Sequence, residues 1–339
     1  VTDTQDRPAL VRELSESELL DRIFPRLDVL GAALLGPGDD AAVVAAPDGR
    51  VVVSTDTQTQ DADFRLTWPS GYRSTGADVG WKAAAQNLSD INAMGAVATA
   101  MVVSLTLPGE TEAEWVEDFA DGLVEAIRAL GADRCTVAGG DLGRGRELSV
   151  TVTILGTLEG RAPVLRSGAR PGDVLAVAGR LGAAAAGLAL LEHGPAYATL
   201  PASLREAVGR QCRPVPPLAA GPAAARGGAH ALMDLSDGLL KDGQRLAAAS
   251  GVGLDFDAES LAAHAALLAE PAAAVGADPL GWVLGGGEDH GLLGAFPASV
   301  QLPEGFAAIG SVVPTAGGPG GVAIGGRPVQ PSGWDHFAR

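Results

Sequence analysis

Lysine is almost absent from this chain: of its 24 basic residues only Lys82 and Lys241 are lysines. A phosphate-binding site here cannot rest on several lysines, and no G-x-x-x-x-G-K-[ST] loop exists, since neither lysine follows a glycine. An H-R-D kinase loop is also missing. Cysteine is equally scarce. Cys135 and Cys212 stand far apart with no C-x-x-C, and the five histidines (193, 230, 264, 290, 336) are scattered. A zinc site and a disulfide scaffold are both disfavoured, and the histidines read as surface or core fillers. Two lone thiols, a polar N-terminal stretch without a signal-peptide pattern, and apolar runs broken before about 18 residues together predict a cytoplasmic protein with no transmembrane helix.

Acid is what the chain has in excess. Forty-one acidic residues against 24 basic give a net charge of −17, which disfavours nucleic acid and anionic membrane as partners. The length of 339 residues and a hydrophobic content of 47% allow two packed domains. A split at 1–158 and 159–339 is expected, with Arg161–Gly172 as the connection.

Elements alternate unevenly along the chain. Ser15–Glu18 is a capping-box pattern that opens a helix over 15–24, and Thr111–Glu114 is a second one, opening a helix that stops near Gly131. Residues 75–94 carry no proline and end before Gly95, which predicts a long helix. Ala42–Ala46 and Val51–Ser54, separated by Pro47-Asp48-Gly49, read as a β-hairpin. Val97–Leu107, Cys135–Ala138, Leu148–Leu155, Val174–Ala178 and Ala231–Leu235 are strand candidates. Helices are expected near 182–192, 202–211 and 238–250, with a Pro-rich joint at 214–217. The last 60 residues read as short strands and loops, with a surface turn at Gly317–Gly321. Hairpins mixed with strand–helix units favour an α+β fold over a strictly doubly wound sheet.

The aspartates carry the chemistry. Asp40 follows Gly36-Pro37-Gly38, Asp56 sits in Ser54-Thr55-Asp56-Thr57, and Asp90 closes Asn87-Leu88-Ser89-Asp90 inside the long helix. Asp141 follows Gly139-Gly140 after the strand beginning at Cys135, and Asp234 and Asp237 flank Leu235-Ser236. Most lie where an apolar segment enters or leaves a loop. None has an adjacent lysine, and only Asp141 has a nearby arginine, Arg144. Any one such Asp is ordinarily a cap or a turn. Six of them without cations repel one another, and hard divalent ions such as Mg²⁺ relieve that by taking carboxylate and phosphate oxygens. Two unit charges brought to about 4 Å cost on the order of 4 kcal/mol at an effective dielectric of about 20. Joining ATP to an anionic acceptor stacks several such pairs, so the acids point to metal-assisted phosphoryl transfer. Gly139-Gly140 and Gly285-Gly286-Gly287-Glu288-Asp289 add backbone N–H groups that can approach a phosphate.

These motifs, in this order, resemble the thiamine-monophosphate kinase family. The matching segments are GPGDDAAVV, VSTDT, KAAAQNLSDINAMGA, AGGD, RSGARPGD, DLSDG, GGGEDH and GWDHF, from about residue 15 to 338. The resemblance implies two α/β domains per subunit and a homodimer joined through N-terminal strands. It implies metal ligands at Asp40, Ser54, Thr55, Asp56, Asp90, Asp141, Asp234 and Asp237, with Asp56, Asp141 and Asp237 catalytic. ATP would meet Gly140, Asp141, Arg166 and Ser236, and the thiamine end Glu288 and Trp334. Where the family often has a His-Phe pair, this chain has Asp63-Phe64-Arg65, so Asp63 takes the substrate position and Arg65 is the candidate to replace the contact. The implied reaction converts ATP and thiamine monophosphate to ADP and thiamine diphosphate. The alternatives are another ATP-using member of the superfamily, of selenophosphate or aminoimidazole ribonucleotide synthetase type, and a non-catalytic nucleotide or thiamine-phosphate sensor.

Overall fold

A computed structural model describes residues 9–27, 33–35, 43–315 and 320–334. Asp40, most of the expected turn at Gly317–Gly321 and the terminal Asp335-His336-Phe337 lie outside the described residues. The elements fall into two packed bodies.

The first holds α1 (Glu16–Ile23), β1 (Ala33–Leu35), β2 (Val43–Val44), β3 (Val52–Thr59), α2 (Gly76–Ala93), β4 (Val97–Leu107), α3 (Ala113–Ala129), β5 (Thr136–Arg144) and β6 (Ser149–Thr157). Its main sheet runs β3-β6-β4-β5, with β4 and β5 parallel and the other pairs antiparallel. Inward residues such as Met101, Leu105, Val152 and Ile154 pack under α2 and α3. The opposite face is open, with Val53 59% and Val102 43% exposed.

The second body holds β7 (Val174–Ala178), α4 (Ala183–His193), α5 (Ala202–Cys212), α6 (Ala220–Arg226), β8 (Ala231–Leu235), α7 (Leu239–Ser250), β9 (Gly253–Phe256), α8 (Ala258–Ala266), α9 (Ala269–Val275), α10 (Pro279–Gly285), β10 (Gly291–Phe296), β11 (Phe306–Val313), β12 (Gly321–Ile324) and β13 (Arg327–Pro328). Its seven-stranded sheet runs β13-β12-β9-β11-β7-β10-β8 and is antiparallel except where β12 joins β9. This is the expected α+β architecture.

Helix α2 joins the two bodies. Thr75 caps it, accepting from the Asp78 N–H, and Gly95 in the left-handed region (φ +70°) follows its end. It is buried on nearly every side because α3 and the sheet cover one flank and the second body covers the other. Small residues allow this: a Cβ on Gly80 would lie 2.2 Å from the Phe119 carbonyl oxygen of α3. Toward the second body, Trp81 Nε1 donates to Pro214 O (2.8 Å) and Asn92 Nδ2 to Pro217 O (3.0 Å), so the Pro-rich joint is docked on this helix.

Three sequence expectations are corrected. Val43–Val44 and β3 do not form a hairpin: β2 pairs with β1, and β3 pairs with β6 some hundred residues later. The second capping box does not form. Glu112 is the N-cap of α3 without a side-chain bond, and the freed Ala113 N–H instead donates to Ala9 O (2.7 Å). Gly139-Gly140-Asp141 lies within β5, which runs to Arg144, rather than after it.

Candidate functional site

The site begins as a match between a strand and a helix. Successive inward residues of β3 are Ser54, Asp56 and Gln58, about 6.7 Å apart. On α2, Lys82, Gln86 and Asp90 recur every four residues, about 6 Å apart along one face. The two rows zip together. Ser54 Oγ donates to Asp90 Oδ2 (2.5 Å), and Gln58 Nε2 donates to Gln86 Oε1 (2.7 Å). Lys82 Nζ donates to Asp63 O (2.8 Å), just beyond the strand.

The second body closes over this row with three segments: the loop after β8, the loop before β10, and the tail at 332–334. Glu288 N donates to Ser236 O (2.8 Å) and Trp334 N to Asp237 O (2.9 Å), so the 234–238 loop is held between the other two. Ser89 Oγ of α2 reaches His290 O (3.4 Å), and Lys82 Nζ reaches Glu288 Oε1 (2.5 Å). The second oxygen of Glu288 accepts from Gln211 Nε2. Burial opposes the Glu288 charge, but the Lys82 ammonium and the Gln211 amide outweigh it and hold its carboxyl below the ordinary range.

Three predicted acids meet here. Burial, then the Asp234 and Asp56 charges, push the Asp90 carboxyl up to about 7, against the Ser54 hydroxyl and the His290 ring. Asp56 is also raised, chiefly by burial and further by Asp234 and Asp63, with the Gln86 amide opposing. Asp234 is buried on β8, with Oδ2 3.9 Å from His290 Nδ1. Among the described residues no three His, Cys, Asp or Glu side chains already share one coordination point. The chemistry of the donors is nonetheless that of a hard cation's ligands: Asp56, Asp90 and Asp234 bring carboxylate oxygens to a common seam, two of them with raised pKa values.

Other predicted residues go elsewhere. Thr55 points to the opposite face of β3, where its hydroxyl donates to Val152 O (3.0 Å). Asp141 is exposed on edge strand β5, and its register row through Ser104 and Thr151 reaches Thr57, so it shares that outward face. Gly140 is required by close approach, since a Cβ there would lie 2.0 Å from Val103 O. Asp63 closes its own turn by accepting from Thr59 N (2.7 Å). Arg65 pairs with Glu192 (3.0 Å) and lies over the Trp68 ring (5.6 Å), so its guanidinium is already engaged. Arg166 is exposed, and among the described residues its guanidinium has no carboxylate partner. Asp237 overturns the expectation of acids without cations: Arg245 (2.7 Å) and Lys241 (3.2 Å) both pair with it. Lys241 also donates to the Trp334 carbonyl.

Sequence reasoning missed the cations and His290. Lys241 and Arg245 lie four and eight residues past Asp237, on one face of α7, a spacing that could have exposed them. Both lysines of the chain therefore stand at the site. His290 is not a filler beside the acids but their buried neighbour. It and Glu288 occupy the left-handed region (φ 52° and 66°), strain of about 1–3 kcal/mol each that the surrounding loop must hold. Asp289 between them anchors the loop, accepting from Gly182 N (2.5 Å) and Ala184 N (2.8 Å) at the start of α4.

Two α+β bodies meeting at an acidic seam define the class: the chain belongs to the AIR synthase related proteins, whose N-terminal domain matches residues 38–158 and whose C-terminal domain matches 170–282. Within that class it belongs to the thiamine-monophosphate kinase family. The thiamine-monophosphate kinase of Mycobacterium tuberculosis H37Rv is 47% identical over 328 residues, covering 96% of this chain and 93% of that protein. The crystal structure of thiamine-monophosphate kinase from Stenotrophomonas maltophilia K279a is 32% identical with a TM-score of 0.74, covering 93% of this chain and 98% of that one. A structure of AaThiL complexed with AMPPCP and TMP is 31% identical with a TM-score of 0.73, covering 99% and 100%.

Proposed function

We propose that this protein phosphorylates thiamine monophosphate to thiamine diphosphate at the expense of ATP. The reading is carried by the seam in which Asp56, Asp90 and Asp234 gather between β3, α2 and β8. It is supported by relatives that are thiamine-monophosphate kinases and by a neighbour complexed with AMPPCP and TMP.

An acceptor phosphate oxygen is already anionic, so in-line attack on the γ-phosphorus needs no side-chain nucleophile or base. The residues position two anions and offset their repulsion. Ser54, Asp56, Asp90 and Asp234, with Asp40, hold Mg²⁺, which when bound neutralises charge on the transferring phosphoryl group. Asp237, clamped by Lys241 and Arg245, brings two cations to the edge of the seam. Those cations and Arg166 meet nucleotide phosphates, and Ser236 lines the nucleotide side. Glu288 accepts from the acceptor's organic end, and Trp334, 51% exposed, offers a π-face to its cationic ring. Asp63 and Arg65 stand on the acceptor side, with Arg65 the candidate cation for the acceptor's phosphate.

The domain split falls at 158/159, after β6. The protein acts as a homodimer, for which the open face of the first sheet is the supporting surface. Thr55, Gly140 and Asp141 join the nucleotide site once a second copy covers that face. Two buried, unpaired thiols support a cytoplasmic setting. No described helix is long and apolar enough to cross a membrane.

The test is a phosphoryl-transfer assay with ATP and thiamine monophosphate, with and without EDTA. Turnover abolished by EDTA and restored by Mg²⁺ is expected, with Asp56→Asn reducing kcat by at least about a hundredfold. Tight binding of both ligands without ADP release identifies a sensor instead. Turnover on another acceptor alone identifies a different member of the superfamily.

A further inference from the structure

Glu288 is held from more sides than a loop carboxylate needs. Its backbone lies in the left-handed region (φ 66°), tied by its N–H to Ser236 O (2.8 Å). Its two oxygens take donors from different bodies: Oε1 from Lys82 Nζ of α2 (2.5 Å), and Oε2 from Gln211 Nε2 of α5. Both donors are only 3% exposed, whereas 33% of the Glu288 side chain stays open. Lys82 is fixed further by donating to Asp63 O (2.8 Å). Gln211 is fixed by the close crossing of α4, where a Cβ on Gly187 would lie 2.9 Å from Gln211 Cβ. Gln211 Oε1 is buried with no hydrogen-bond partner. Turning the amide over would set that oxygen against the Glu288 carboxylate, so the N–H faces Glu288 and the carbonyl goes unpaired. The Lys82 ammonium cancels the Glu288 charge, so the open lone pairs offer direction rather than net charge.

We propose that Gln211 and Lys82 are positioning residues that fix Glu288 as the acceptor for the exocyclic amino group of the substrate's pyrimidine ring, so that the site selects an aminopyrimidine over an oxopyrimidine. The inference rests on the thiamine monophosphate reading above and assigns its specificity to these two side chains. The amino group donates to the open lone pairs of Glu288. An oxo group in its place sets oxygen against oxygen, and neither Lys82 nor Gln211 can turn to meet it, because both are committed to the carboxylate.

The experiment compares thiamine monophosphate with oxythiamine monophosphate, in which oxygen replaces that amino group, by steady-state kinetics on the full chain. The parent should prefer the amino substrate at least about a hundredfold in kcat/KM. Gln211→Met keeps the bulk and removes the donor. It should raise KM for thiamine monophosphate at least about tenfold, leave KM for ATP within about threefold and cut the preference at least about tenfold. A merely structural role would weaken both acceptors alike and leave their ratio where it was. If Gln211→Met does not fold, Gln211→Asn serves, since it withdraws the amide by one methylene. Equal kcat/KM for the two acceptors in the parent, or the parent's preference surviving in the variant, overturns this inference while leaving the kinase reading standing. Turnover of neither acceptor by the parent overturns both.

Discussion

Single residues at the seam are held by partners on the opposite body. Lys82 is 3% exposed on α2, and its ammonium meets Glu288 from the loop before β10. Removing one member of a mostly buried pair strands the other, which is more damaging than losing both. Lys82→Met should therefore lower the unfolding free energy by about 2–4 kcal/mol, and adding Glu288→Gln should recover part of it. Urea denaturation of the two variants reads this; an unchanged midpoint in Lys82→Met would remove the pair from the list of contacts joining the bodies. The residue scale is also where the sequence was least informative. Asp63, Arg65 and Thr55 carry the right chemistry, and their local engagement by Thr59, Glu192 and Val152 leaves no mark in the sequence. His290 carried no local signal, because only the pairing of β10 with β8 brings it beside Asp234.

At the level of elements, local signals served well and long-range ones did not. The Thr75 cap and the Gly95 stop delimit α2 within a residue or two, and Val97–Leu107 is the observed β4. The pairing of β3 with β6 depends on contacts about a hundred residues apart, which no turn residue encodes, so a local hairpin was the natural misreading. Helices α6, α8, α9 and α10 went unforeseen because Ala, Gly and Pro dominate them and leave little periodicity. Close approach of α2 and α3 makes a prediction. Gly80→Ala gains about 1 kcal/mol of helix propensity but drives a methyl into the Phe119 carbonyl. A net loss of about 1–3 kcal/mol should follow, measured by thermal unfolding. Helix α3 makes another. Burial, then Glu114 and Asp121, raise the Asp118 carboxyl above its ordinary 3.8. Its ionised form is thus penalised in the fold: the penalty is absent well below that value, grows as pH rises through the folded pKa, and persists at neutral pH. Asp118→Asn should stabilise the protein by about 0.5 kcal/mol at neutral pH and leave it unchanged near about pH 3. Equal gains at both pH values would count against crowding as the cause.

For the molecule as a whole, the uneven alternation of strand and helix signals pointed to the α+β class, and the order of the motifs to the family. What they could not convey is that the seam needs both bodies, since β3 and α2 supply one wall and the loops around β8 and β10 the other. The open sheet face makes the prediction at this scale. Val53→Glu places a charge where a second copy is proposed to pack, and sedimentation should show monomers at concentrations where the parent is dimeric. A parent that sediments as a monomer would instead leave Thr55 and Asp141 outside the nucleotide site.

Because the chain's only two side-chain amines both lie against the seam, its chemistry toward acylating reagents is unusually selective. Lys82 is shut in, whereas the Lys241 side chain is 25% exposed beside Asp237 and Trp334. An N-hydroxysuccinimide ester therefore has one accessible side-chain amine among the described residues. Labelling stoichiometry at that position becomes a direct gauge of whether a bound nucleotide shields it.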